Sequence, residues 1–289
     1  MNVRDEAFLF GCGADELVGV LSRPEGAAAP MGVLVVVGGP QYRVGSHRQF
    51  VLLGRGLAAR GIACMRFDYR GMGDASGEVR SFEAVGEDIR AAVGLFCEQV
   101  TELRGVVLWG LCDGASAACF YAPGDSRVSG LILLNPWVRT AQGEAQTYLK
   151  HYYLQRLFSR AFWLKLLRGG VRLGQSLAAL SAAMKRARGD GAQPQTGVGG
   201  TLPERMLADL QRAGKPALVL LSGRDYVARE FEQVCRESRG WQQFLDAGVV
   251  QHVPDADHTF SSALHRDVVA RLSAEWCERL HGQVGPLVE

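Results

Sequence analysis

Three residues of different chemistry stand just after three strand-like runs: Cys112, Asp225 and His258. A thiol, a carboxylate and an imidazole can together perform nucleophilic acyl chemistry. The sulfur attacks a carbonyl, the imidazole moves the proton, and the carboxylate orients the imidazole. Cys112 lies in Gly110-Leu111-Cys112-Asp113-Gly114, directly after the apolar run Val106-Val107-Leu108. A series of Ala, Ser and Cys follows and reads as a closely packed helix. Strand, Gly-x-Cys-x-Gly turn and helix form the context of a nucleophile elbow, whose centre is strained and whose flanking side chains would collide with their neighbours. Ser is the usual occupant of that centre. Here it is Cys. The pentapeptide alone is a weak signal, because a small Cys in a strand-to-helix turn also serves as packing.

Asp225 closes Ser222-Gly223-Arg224-Asp225 after the apolar run Ala217–Leu221, and His258 follows Val249–Val253 in Pro254-Asp255-Ala256-Asp257-His258. Each has a competing explanation. Asp225 stands where Asp is favoured as a helix cap. His258 could be a plain loop residue, and His252 is its rival, although a place inside the last strand argues for packing. Asp255 and Asp257 are poorer acids because they adjoin the imidazole in sequence. A helix N-terminus directly after Cys112 favours negative charge on sulfur. The backbone N–H of Asp113 is the first expected oxyanion donor. The second should come from the loop after the first long strand. Pro40 has no N–H to give, so Gln41 is the choice, with Tyr42 behind it. Tyr42, His47 and Trp137 are candidate substrate contacts, with helix-start packing an equal account of His47. Asp68 and Arg70 are expected to build loop structure.

These residues need a scaffold that gathers strand ends on one edge. Residues 3–22 alternate weakly and break at Gly11-Cys12-Gly13, which predicts an opening antiparallel hairpin. Buried strands are predicted at Met31–Val37, Ile62–Phe67, Val106–Leu108, Val128–Asn135 and Ala217–Leu221, with a short last strand at Val249–Val253. Helices are predicted at about 48–60, at Ser81–Val100, after Cys112, at Pro203–Ala213, at Phe231–Arg239 and at His265–Leu280. Strand and helix in alternation build a mostly parallel sheet with helices on both faces, and such sheets collect ligands at the carboxyl ends of their strands. The rhythm breaks between 137 and 200, where aromatic and basic residues such as Tyr148, Phe162 and Lys165 appear without a strand and end in a Gly- and Pro-containing spacer, 189–200. That stretch is expected to be a helical lid insertion, splitting the core into residues 1–136 and 201–289.

Composition narrows the function. With 289 residues, 47% hydrophobic and 21% charged, the chain is long enough for one large α/β core. A net charge of +2 gives no reason to expect a nucleic acid partner. The seven Cys are scattered, with no CxxC pair, so neither a disulfide framework nor a zinc site is expected. The acidic N-terminus resembles no targeting segment, no run is apolar enough for a membrane span, and a cytoplasmic protein is expected. The chemistry calls for a small-molecule acyl substrate and no metal or cofactor. Oligomeric state is not legible.

The order nucleophile, acid, histidine, each at a strand end, resembles the α/β-hydrolase superfamily over nearly the whole chain. Within it, Gly39-Pro40-Gln41-Tyr42-Arg43-Val44-Gly45-Ser46-His47-Arg48, Asp68-Tyr69-Arg70-Gly71-Met72-Gly73-Asp74 and Trp109-Gly110-Leu111-Cys112-Asp113-Gly114-Ala115-Ser116-Ala117 resemble the type-one hydrolases encoded with exosortase A systems. That resemblance implies a hydrolase associated with exopolysaccharide and protein-sorting loci. The dienelactone hydrolases, of the same superfamily, also carry Cys at the elbow. Cys favours an ester, lactone or thioester over an amide, since thiolate leaves a tetrahedral intermediate more readily than an amine. Two other readings stay open: acyl transfer to a sugar hydroxyl, and a silent binding protein that kept the fold.

Overall fold

The computed structural model describes residues 3–38, 41–138 and 200–283. The chain divides into two compact units, Met1–Val138 with Met206–Glu289, and Arg139–Arg205. The insertion expected over 137–200, with its aromatics and its spacer, lies outside the described residues except for Trp137, Val138 and Gly200.

The first unit is built on eight strands: β1 (Val3–Cys12), β2 (Asp15–Pro24), β3 (Met31–Val36), β4 (Cys64–Asp68), β5 (Gly105–Leu111), β6 (Val128–Leu134), β7 (Ala217–Ser222) and β8 (Val249–Val253). They form one sheet in the order β1-β2-β4-β3-β5-β6-β7-β8. The β1–β2 hairpin joins antiparallel to β4, and every pairing from β4 to β8 is parallel. Each strand reads according to its place. β3, β4, β5 and β7 are buried along their whole length, as strands covered on both faces must be, while edge strand β1 is largely exposed or half-buried.

Among the described residues the helices are α1 (Gln49–Ala58), α2 (Gly86–Gln99), α3 (Asp113–Tyr121), α4 (Leu202–Ala213), α5 (Tyr226–Glu237), α6 (Arg239–Ala247) and α7 (Ala263–Gln283). The helix expected over Phe231–Arg239 is in fact two. Ser238 is extended (φ −116°, ψ 116°), and its side chain accepts from the Trp241 N–H to start α6. Trp241 is buried and meets the rings of Phe231 and Phe244 edge-on, so packing rather than propensity decides the break. The α2 stretch likewise opens as a separate 3-10 turn, Phe82–Ala84. Among the described residues no helix is long and apolar enough to cross a membrane.

Parallel order fixes where the chemistry can be. β5 lies mid-sheet between β3 and β6, with Leu34 opposite Leu108 and Leu111 opposite Leu134. The carboxyl ends of β5, β6, β7 and β8 therefore open onto one edge. Trp109 on β5 is buried, meets Phe50 of α1 edge-on, and donates from its indole N–H to Ser273 Oγ of α7 at 3.2 Å. β5 is thereby braced from the helical layer behind it.

Candidate active site

Cys112 links β5 to α3 at φ 60°, ψ −126°, a conformation L-residues rarely hold and one that costs about 1–3 kcal/mol. The flanking glycines explain how the turn fits. A Cβ on Gly110 would stand 2.5 Å from the Gly114 carbonyl, and one on Gly114 would strike the Val36 carbonyl oxygen of β3. Gly38, after β3, is as tight, with Leu111 O 2.5 Å from where its Cβ would be. The elbow is also tied from β6. Cys112 N–H donates to Leu134 O at 2.9 Å, Trp137 N–H donates to Cys112 O at 3.2 Å, and Ser116 Oγ donates to Trp137 O at 2.7 Å. The thiol is half-buried. Burial pushes the other six thiols up, those of Cys64, Cys235 and Cys277 to about 12.

Asp225 and His258 meet from two other strand ends. Asp225 caps α5, its Oδ1 accepting from Val227 N–H at 3.3 Å and its Oδ2 from Ala228 N–H at 3.2 Å. The same Oδ2 lies 2.8 Å from His258 Nδ1. Capping and imidazole contact are not rival roles; the cap aims the carboxylate. A carboxylate only accepts, so His258 Nδ1 carries the hydrogen. The Cys112 side chain also acts on the imidazole, favouring its charged form. Burial works against charge on His258, but Asp225 and then Cys112 outweigh it and raise its pKa to about 10. Burial likewise opposes charge on Asp225, whose pKa is nevertheless held below the ordinary carboxylate value by His258 and the two backbone N–H groups.

The remaining expected residues fall out as follows. Asp113 opens α3 next to Cys112. Gln41 is half-buried, and its Oε1 accepts from Ser46 N–H at 3.4 Å and from Gln49 Nε2 at 3.3 Å. Tyr42 is exposed, with the Arg43 guanidinium 5.9 Å above its ring. His47 is exposed and left-handed (φ 51°), so the helix-start packing weighed for it is absent. Trp137 braces the elbow through its backbone, as above. His252 is not packed inside. It is exposed and pairs with Glu232 at 2.9 Å, because β8 is an edge strand with no further strand beyond it. Asp255 pairs with Arg224 at 2.7 Å, and Asp257 accepts from Ser261 N–H at 2.9 Å, so both are engaged away from the imidazole.

The loop role expected of Asp68 takes a definite form. Buried Asp68 accepts from Arg43 N–H at 2.6 Å, pairs with the Arg43 guanidinium, and accepts from Asp74 N–H at 3.1 Å. The turn after β4 thus fastens the loop that carries Gln41 and Tyr42. The buried Asp beside a Gly-rich turn was visible in the sequence; its partner, 25 residues away, was not. Arg70 points elsewhere, gripping buried Asp88 of α2 at 2.9 and 3.0 Å.

With strand order, elbow and converging side chains described, comparison with known proteins decides the family. The profile of the Alpha/beta hydrolase family matches residues 33–272. The chain belongs to that family. As an α/β-hydrolase it shares its fold with an esterase of Pyrococcus furiosus (13% identity, TM-score 0.64, 96% of this chain and 91% of that one). It is similar also to the α/β-hydrolase GrgF of a Penicillium species (18%, 0.61, 98% and 100%). A dienelactone hydrolase of Anabaena variabilis aligns over comparable lengths (15%, 0.61, 96% and 99%). No curated protein matches this α/β-hydrolase in sequence.

Proposed function

We propose that this α/β-hydrolase cleaves carboxylic esters or thioesters through a covalent acyl-enzyme on Cys112, with His258 and Asp225 completing the catalytic set. The observation that carries the reading is a single imidazole bonded at 2.8 Å to a capped, buried carboxylate, with the elbow thiol acting on the same ring. The Cys112 thiolate attacks the carbonyl carbon, forming a C–S bond and a tetrahedral oxyanion. The N–H groups of Asp113 and Gln41 take the negative charge. As the intermediate collapses, the bond to the alcohol or thiol breaks, and the His258 imidazolium protonates the leaving group. Neutral His258 then draws a proton from water, the hydroxide attacks the thioester, and the thiolate is released. Trp137, Tyr42 and His47 are proposed for substrate contact. The motif resemblance to exosortase A-associated hydrolases supports a link to exopolysaccharide and protein-sorting systems.

Intact-mass spectrometry after brief exposure to activated acyl esters and acyl thioesters tests this. Wild type should gain one acyl mass that clears in water, and Cys112→Ala should gain none while keeping its melting temperature. An adduct stable in water but cleared by a sugar hydroxyl would instead establish acyl transfer. Undiminished turnover by Cys112→Ala would sink the mechanism.

A further inference from the structure

Asn135 follows the last residue of β6 and is fully buried, yet the chemistry above gives it no task. Its backbone is left-handed at φ 43°, which Asn accepts more readily than most side chains. Its own N–H donates to Leu220 O at 3.1 Å. Its side chain makes three bonds. Nδ2 donates to Ser222 Oγ at 2.7 Å and to the His258 carbonyl oxygen at 3.0 Å, and Oδ1 accepts from Ser222 N–H at 2.9 Å. The amide can point only one way, since a backbone N–H cannot face Nδ2 and a carbonyl cannot face Oδ1.

The bond to His258 matters because of what surrounds it. The loop between β8 and α7 is tied to the acid turn upstream of the imidazole, by Gly223 N–H to Val253 O and Arg224 N–H to Ala256 O, each 3.0 Å. Two residues after His258, Phe260 is buried in a left-handed conformation (φ 51°), so the chain there is not in a relaxed shape of its own. The Asn135 bond falls on His258 itself. The ring is then held at two points, its backbone from the end of β6 and its Nδ1 from the cap of α5.

Building on the catalytic reading above, we infer that Asn135 is a positioning residue, which fixes the imidazole between Asp225 and Cys112 by gripping the His258 carbonyl. Two variants test it. Asn135→Asp keeps the size and tolerates the left-handed backbone but removes both donors, and Asn135→Gly keeps the backbone and removes the side chain. Ser222→Ala is the control, since it loses a bond to the same amide while leaving the grip on His258. Three properties are read on the full chain: kcat and KM with an activated ester, melting temperature, and the low-field proton resonance of His258 Nδ1–H, assigned by its loss in Asp225→Asn.

Both Asn135 variants should lower kcat by up to about a hundredfold with KM nearly unchanged, as expected for small displacement of a reacting group. The low-field resonance should broaden or vanish in both. Ser222→Ala should lower the melting temperature and keep the resonance and kcat. Asn135 variants that lose melting temperature but keep both resonance and kcat would overturn the proposal in favour of a purely structural role. The resonance does not depend on turnover. If wild type acylates on no donor, the catalytic reading fails alone, and the resonance still judges Asn135.

Discussion

Sulfur at position 112 changes what its neighbours must do. A serine needs its proton removed during attack, whereas a thiol can exist as the nucleophilic anion beforehand if a cation faces it. His258, with its pKa raised to about 10, would be that cation in the proposed reaction. Alkylation of Cys112 by iodoacetamide should therefore persist at pH 6 in wild type and drop sharply there in His258→Ala, followed by peptide mass spectrometry. Equal pH profiles for the two proteins would dissolve the pair. Cys112→Ser should retain little turnover, because an alcohol, unlike a thiol, has no nucleophilic anion in advance and must give up its proton during attack. The same ionisation reaches stability. The raised pKa of His258 means that its contribution is full below 6.5 and disappears as pH climbs through about 10. Asp225 runs the other way, its lowered pKa contributing above 3.8 and failing as acid protonates it. Thermal melts of wild type and His258→Gln should thus differ most near pH 6 and converge toward pH 10. A gap that widened with pH would contradict the assignment.

The elements around the site are held by polar clasps as much as by apolar packing. Arg70, at the end of the β4 turn, donates from its backbone N–H, Nε and Nη2 to Asp88 of α2, and both side chains are almost wholly buried. Arg70 also pairs with exposed Glu87 at 2.7 Å, so losing Asp88 would leave it only that surface partner, at a cost of up to about 3–5 kcal/mol. Asp88→Asn should lower stability by an amount in that range in urea unfolding, with little change in KM, because Arg70 does not face the loop of Gln41. A change under about 1 kcal/mol would mean water reaches the pair. Much of this scale was legible in the sequence, and for a clear reason. Strands such as Met31–Val36 and Ala217–Ser222 are buried on both faces and so read as unbroken apolar runs. The elbow was legible because backbone crowding demands glycine at Gly110 and Gly114, a demand that leaves its mark in the sequence. The break at Ser238 was not, since it depends on where Trp241 finds its aromatic neighbours.

At the scale of the whole molecule, sequence order and spatial order part company, and the unread features lie where they do. Cys112, Asp225 and His258 could be nominated because each carries its own local signature at a strand end. Asn135 could not, because its role exists only through a partner 123 residues away across the sheet, and Asp68, expected to build loop structure, could not be matched to Arg43, 25 residues away. His252, expected to pack because it lies inside the last strand, is exposed because β8 is the sheet's edge. The distribution of sulfur has the same global character. Seven cysteines are spread through the chain, yet burial pushes up the thiols of six, and the seventh, Cys112, stands at the elbow, where the proposed imidazole partner would face it. Toward a soft electrophile at neutral pH the protein should behave as though it had one cysteine. A fluorophore, cross-linker or trapping warhead could then be placed on that single atom in the native sequence, without a cysteine-free background being made first.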